Sequence, residues 1–264
     1  MKKGLIVYQK EDQEKNIWFI DKCIEGLNDS NFSLLYKEES ETLSYVANHQ
    51  IDFVIYRGRD YTLVKKLEEQ GIKVFNNSLT NKVANDKYET FLLCHRNNIN
   101  CLVAYRKIED VTAFPCVMKS INGHGGQEVF LVNSLDDVTT LRKQMNRKFI
   151  YQEYLPHSQD VRLYVLNKKV IGAVKRSNPH DFRSNFSLGG EVSFYLPSQE
   201  MIDTAVKAAN ILDADFIGVD FLINDKDCYL NEIEDPVGSR MLYKTSDIDI
   251  VSLYIEHIKE VLSH

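Results

Sequence analysis

Residues Gly218 to Pro236 read GVDFLINDKDCYLNEIEDP. Two apolar runs, Gly218–Ile223 and Cys228–Glu234, flank a short polar turn, NDKD, which is the pattern of a β-hairpin. Asp220 stands alone among apolar residues, and a lone carboxylate is costly to bury without a partner. Glu232 and Glu234 share one face of the second strand, because successive side chains point to opposite sides. Carboxylates this close repel and raise each other's pKa unless a cation lies between them. The tail YLNEIEDP is therefore either a solvated strand end or half of a metal site. With Asp220, Glu232 and Glu234 on one face, the hairpin would offer an all-oxygen donor set of the kind that suits Mg²⁺ or Mn²⁺. That arrangement carries a condition of register. Asp220 must lie opposite an even-numbered residue, which needs an odd-length turn or a bulge. The turn is compatible with either register.

Working upstream, the density of strands and helices changes near residue 80. Before it, strands at Gly4–Tyr8, Ser33–Tyr36, Asp52–Tyr56 and Lys73–Asn76 alternate with helices at Glu14–Leu27, Glu41–His49 and Tyr61–Gln70. This alternation predicts a small parallel α/β domain over residues 1–80. It has no G-x-G-x-x-G after its first strand, so a dinucleotide site has no motif there. The RGRD stretch at Arg57–Asp60 reads as a strand-to-helix loop or as a wall of a substrate cleft. After it, one helix is expected over Lys82–Asn97. Short strands follow at Cys116–Ser120, Glu128–Val132, Phe149–Tyr154, Asp160–Leu166 and Lys169–Lys175, with Asn167-Lys168 as a tight turn. A helix at Gln199–Leu212, the hairpin and a closing helix at Asp249–Leu262 complete an α+β body.

Three further stretches carry chemistry. In VMKSINGHGGQEV, Lys119 ends a strand and Gly123, Gly125 and Gly126 follow. Glycines let backbone N–H groups approach an anion, and the lysine adds a fixed charge. An ordinary hairpin loop is the competing reading. In FIYQEYLP, a strand running into Pro156 leaves backbone groups free of a ladder. Those groups suit a planar base, or simply mark a strand end beside a turn. In KRSNPHDFRSNFSLGGE, cations and amides crowd into an otherwise acidic chain, which suits polyphosphate or carboxylate; a solvated loop is the competing reading.

The whole chain has 264 residues, 44% of them apolar and 27% charged, with a net charge of -6. That composition is ordinary for a globular enzyme, and the acidity argues against nucleic acid as the main partner. No run is long enough to span a bilayer, and the N-terminus lacks a secretory pattern. The five cysteines are odd in number and widely spaced. They read as reduced thiols of a cytoplasmic protein rather than a disulfide framework or a zinc site.

Taken in order, these elements resemble the RimK-like branch of the ATP-grasp ligases. The resemblance rests on DK at Asp86-Lys87, MK at Met118-Lys119, QEY at Gln152–Tyr154, and DFRSN followed by GG at Asp181–Asn185 and Gly189-Gly190. GVD at Gly218–Asp220 and E-I-E-x-x-x-G from Glu232 to Gly238 complete the series. It implies an ATP-grasp domain over 81–264, with a lid at about 111–155 and a catalytic subdomain at about 156–264, behind the α/β domain at 1–80. It also implies ATP and Mg²⁺ (or Mn²⁺) as cofactors and a carboxylate–amine substrate pair, an amino acid or short peptide. Neither nucleic acid nor membrane is implied, and proteins of this kind are often homo-oligomers. Lys87 and Lys119 would contact the phosphates, and Gln152, Glu153, Tyr154 and Leu155 would hold the adenine. Asp160 would hold the ribose. Arg183, Ser184 and Asn185 would bind phosphate and acyl phosphate, with Lys119, Arg183 and Asn185 as the catalytic set. Asp220, Glu232 and Glu234 would ligate the metal. The chain departs from the family where Glu234 replaces the usual Asn and where DPVGSRM replaces N-x-S-P-G. Transfer of phosphate to an alcohol, and nucleotide binding without catalysis, are the competing readings.

Overall fold

The computed structural model describes residues 1–123, 125–126, 128–178 and 191–263. The first of three sheets is parallel, with strands β1 (Lys2–Tyr8), β2 (Phe32–Glu38), β3 (Phe53–Tyr56) and β4 (Lys73–Phe75) in the order β2-β1-β3-β4. Leu5, Ile6 and Val7, and likewise Phe53, Val54 and Ile55, are fully buried. A parallel sheet covered on both faces produces such runs. On one face Val54 and Val7 join Leu63, Val64 and Leu67 of the helix Tyr61–Glu69. On the other, Ile6 and Phe53 pack with the helix Ile17–Leu27 and the closing helix Ile250–Ser263. That second cluster continues into Tyr164, Leu166 and Phe216, so the apolar core runs past residue 80 without interruption.

The second sheet is antiparallel. It contains β5 (Ala104–Tyr105), β6 (Cys116–Ser120), β7 (Val129–Val132) and β8 (Phe149–Glu153) in the order β5-β8-β6-β7. One face is closed by a helix that the sequence reading did not anticipate, Leu135–Gln144. Its signals are ordinary: Ser134 caps it by accepting from Asp137 N, acids fill the first turn and Arg142 and Lys143 the last.

The third sheet holds β9 (Gln159–Leu166), β10 (Lys169–Ser177), β11 (Glu191–Phe194), β12 (Phe216–Ile223) and β13 (Cys228–Glu234) in the order β11-β10-β9-β12-β13. The expected turn between β9 and β10 is present, with Asn167 and Lys168 both at positive φ (47° and 59°), as a primed hairpin turn requires. Val161, Leu163, Val219 and Phe221 pack on the helix Gln199–Leu212, which leaves the opposite face for polar side chains.

The single helix expected over Lys82–Asn97 is two helices, Ser78–Ala84 and Lys87–Arg96. Asp86 breaks it. Its backbone is extended and its side chain accepts from Tyr88 N and Glu89 N, so it acts as the N-cap of a new helix. Strand β11 and the short helix Arg240–Thr245 also lay outside the sequence reading.

In the RGRD loop, Asp60 caps the helix Tyr61–Glu69 and Arg57 reaches across the molecule. The Arg57 NH2 group donates to Val237 O at 2.6 Å, and Nε donates to the Tyr8 hydroxyl at 3.3 Å. Asp235 is fixed from the same side, its two carboxylate oxygens accepting from Asn76 and Asn81, each at 2.9 Å. The end of β13 is thereby fastened to the parallel sheet. No helix among the described residues is long and apolar enough to cross a membrane.

Candidate active site

The register condition on the hairpin is met by a bulge. Near the turn, Cys228 faces Ile223, Tyr229 faces Leu222 and Leu230 faces Phe221. The register then shifts, and Glu232 faces Asp220 while Glu234 faces Gly218. Asn231 is the extra residue. Without it, Asp220 and Glu232 would point to opposite faces of the sheet. Across β9, Asp220 faces Arg162, and across β10, Asp160 faces Arg176. Directly opposed residues share a face. Arg176, Asp160, Arg162, Asp220, Glu232 and Glu234 therefore form one continuous charged surface on the third sheet.

These charges are paired. Arg162 holds Asp220 in a two-pronged contact, Nε to Oδ1 at 2.6 Å and NH2 to Oδ2 at 2.7 Å, and its NH2 also lies 2.9 Å from Glu234 Oε1. Arg176 donates to Asp220 Oδ2 at 2.6 Å and, through both Nε and NH2, to Asp160 Oδ1. Burial alone would push the Asp220 carboxyl up, but the two guanidiniums outweigh it and hold it down at about 2. Asp160 moves the other way. Burial pushes it up to about 6, against the pull of Arg176 and with the repulsion of Asp220. Glu232 stands 3.8 Å from Lys87 Nζ and 3.5 Å from Lys119 Nζ. Burial raises its pKa, and the two ammonium groups more than reverse that. The carboxylates thus tolerate one another through the chain's own cations.

The second sheet supplies the opposite wall. Lys119 and Val117 lie on the face of β6 that meets Gln152 of β8, and all three line a cleft of about 500 Å³ between the sheets. Lys87 enters from the start of its helix, where Asp86 caps the chain, and donates to Gly123 O at 2.7 Å. Gly125 and Gly126 line the cleft with left-handed backbone (φ 67° and 74°), a conformation that favours glycine. Val117, Val129, Leu155 and Leu222 give the cleft an apolar part.

Every expected site residue within the described chain lines this one cleft: Lys87, Lys119, Gln152, Glu153, Tyr154, Leu155, Asp160, Asp220, Glu232 and Glu234. Arg183, Ser184 and Asn185 lie outside the described residues. Among the described residues, no group of three or more Asp, Glu, His or Cys gathers at metal-binding spacing. The donor chemistry still fits a hard cation. Among the described residues, Glu232 makes only the two longer ion pairs, and Asp220 Oδ1 accepts only from Arg162.

Sequence reasoning missed Arg162 and Asn231. Arg162 had a signal, since Asp160, Arg162 and Tyr164 alternate with apolar residues and a lone acid waits on a neighbouring strand. Asn231 had none, because parity without the bulge turns it away from Glu232.

Residues 84–258 match the model of the RimK-like ATP-grasp domain. The uncharacterized protein MG011 of Mycoplasma genitalium is 30% identical across 97% of this chain and 92% of its own. A probable alpha-L-glutamate ligase of Maridesulfovibrio salexigens is 27% identical across 90% of this chain and 84% of its own. In fold, the chain is similar to a D-alanine–D-alanine ligase from Bacillus anthracis, with a TM-score of 0.78 and 17% identity over 98% of this chain and 96% of that one. By sequence the chain belongs to the RimK-like ATP-grasp family, an ATP-binding family, and is an ATP-dependent ligase.

Proposed function

We propose that the protein joins a carboxylate to an amine, with an amino acid or short peptide as substrate, and releases ADP and phosphate. The observation that carries this reading is the convergence of Lys87, Lys119, the Gln152–Leu155 segment and the Asp220–Glu232 pair on one cleft. Relatives and fold neighbours named as amino-acid ligases support the substrate class.

The substrate carboxylate oxygen attacks the γ-phosphorus of ATP. The bond to the β-γ bridging oxygen breaks, and ADP leaves with that electron pair. The amine nitrogen then attacks the acyl carbon, phosphate departs, and the amine loses a proton. Two polyanions must meet in the first step, so the cleft must supply positive charge. Lys87 and Lys119 bind the phosphates, and the Gln152–Leu155 segment receives the base against Leu222 and Val117. Asp160, whose Oδ1 takes both bonds from Arg176, keeps Oδ2 for a ribose hydroxyl. Arg183, Ser184 and Asn185 are proposed to bind the transferred phosphoryl group. Asp220, Glu232 and Glu234 would hold Mg²⁺, which when bound offsets the charge of the phosphates. The glycine loop beside Lys119 keeps water from the acyl phosphate. Five free cysteines and the demand for ATP fit the cytoplasm.

The test is turnover of ATP by the purified protein with Mg²⁺ against pooled amino acids and short peptides, followed by mass spectrometry. ADP, free phosphate and a product at the condensation mass are expected. A phosphorylated product without free phosphate would convert the reading to a kinase. Nucleotide binding with no turnover in any pool would overturn it in favour of a binding module.

A further inference from the structure

We propose that Asn231, the bulged residue of β13, is a positioning residue that aims Lys119 at the nucleotide's phosphates. The proposal rests on the nucleotide reading of the cleft and extends it to a residue outside the set that the family resemblance supplied.

Lys119 is 6% exposed, so few solvent hydrogen bonds are open to its ammonium group. Its short contact is to Asn231 Oδ1 at 2.9 Å, while the Glu232 carboxylate stands off at 3.5 Å. Asn231 can reach it only because of the bulge. Leu230 and Glu232 both have partners on β12, and Asn231 has none. The same insertion that brings Glu232 opposite Asp220 turns the extra amide into the cleft. Its neighbours Leu230 and Ile233 are buried in apolar surroundings, so a polar side chain at the bulge serves the cleft and not the core.

The chemistry of an amide suits the task. It accepts a hydrogen bond and orients the ammonium without cancelling its charge, whereas a carboxylate at that distance would neutralise it. Lys119 is therefore oriented where a polyphosphate would lie, without a carboxylate at hydrogen-bond distance to cancel its charge. Glu232, further off and shared with Lys87, remains available to other ligands.

The experiment is calorimetric titration of the full chain with ATP plus Mg²⁺ and, separately, with adenosine. It compares wild type, Asn231→Leu and Asn231→Asp, each also in a Lys119→Met background, with thermal melting as the check on folding. Losing one hydrogen bond to a charged group corresponds to about a ten-fold or greater loss of affinity. Asn231→Leu is expected to weaken ATP by that factor and leave adenosine within two-fold. Asn231→Asp keeps the shape and the acceptor but neutralises Lys119, and is expected to weaken ATP in the same selective way. In the Lys119→Met background the Asn231→Leu effect should fall below two-fold, which a role confined to the bulge would not produce. The Asn231→Asp effect should shrink but persist, because its carboxylate also repels the phosphates directly. Equal losses of affinity for ATP and adenosine with Asn231→Leu, or an Asn231→Leu effect undiminished without Lys119, would overturn the assignment. If Asn231→Leu does not fold, Asn231→Ala replaces it in the same comparison. Wild type that binds no ATP would instead defeat the nucleotide reading itself, and this inference with it.

Discussion

The parallel sheet and the charged sheet of this protein are both buried, and they solve burial in different ways. In the parallel sheet, Leu5, Ile6, Val7, Val54 and Ile55 present apolar groups to both faces, and the hydrophobic effect alone favours the arrangement. In the third sheet, Val161, Leu163 and Val219 do the same on one face. The other face buries Arg162, Arg176 and Asp220 at 6%, 4% and 2% exposure. Charges at that depth are tolerable only in pairs with good geometry. The first sheet needs only residues of roughly the right shape. The third sheet needs particular partners, and any one of them left alone is a liability.

The contrast can be broken by removing one partner. Asp220→Ala removes the carboxylate that two buried guanidiniums share, leaving Arg162 only Glu234 and Arg176 only Asp160 among the described residues, and about 3–5 kcal/mol of stability should be lost in urea unfolding. A loss below about 1 kcal/mol would mean that solvent reaches this face and that the pairing is not required. Next in size, Glu232→Gln preserves shape and removes charge. Its kcat/KM for ATP turnover should fall about a hundred-fold, and the unfolding midpoint should fall by less than for Asp220→Ala, since Lys87 and Lys119 lose an ion-pair partner. Full activity would remove Glu232 from the site. In the parallel sheet, Val54→Ala deletes buried methyl groups with nothing left unpaired, and about 1–3 kcal/mol is expected, with no effect on nucleotide affinity.

The smallest effect sharpens the electrostatic side. The Asp160 carboxyl is raised to about 6 from an ordinary 3.8, chiefly by burial. An acid whose folded pKa exceeds its unfolded value binds more protons when folded. Its contribution to stability therefore declines as pH rises from about 4 to about 6 and is constant above. Asp160→Asn removes that decline, so the variant should gain on wild type across this window by on the order of 1–2 kcal/mol. Denaturant titrations at pH 4, 5, 6 and 7 measure it. A difference independent of pH would show that Asp160 is ionised throughout, held by Arg176.

Much of the site was legible because its parts are local patterns. Lys119 at a strand end before glycines, the Asp86-Lys87 pair and the carboxylates of the hairpin each announce a charge at a fixed place in an element. The break at Asp86 carried a signal, since an aspartate before a helical run marks a cap, but the expected helix Lys82–Asn97 ran through it. The role of Asp235 was not. It reads as a third acid of a cluster, yet it accepts from Asn76 and Asn81 and ties β13 to the first sheet, a contact across more than 150 positions of chain.

By itself, the sequence determined the alternation of strands and helices in the first eighty residues, the turn at Asn167-Lys168, the bounds of the helix Gln199–Leu212 and the order of motifs that identifies the family, but not the helix Leu135–Gln144. These follow from periodicity, capping and backbone preference, which act over a few neighbouring residues. Tertiary structure alone decided that Asn231 bulges, that Glu232 and Asp220 therefore face the same way, and that Arg162 and Arg176 are the cations that make this bearable. Register depends on the partner strand, and a charge buried on one strand is stabilised by side chains that only the assembled sheet brings alongside.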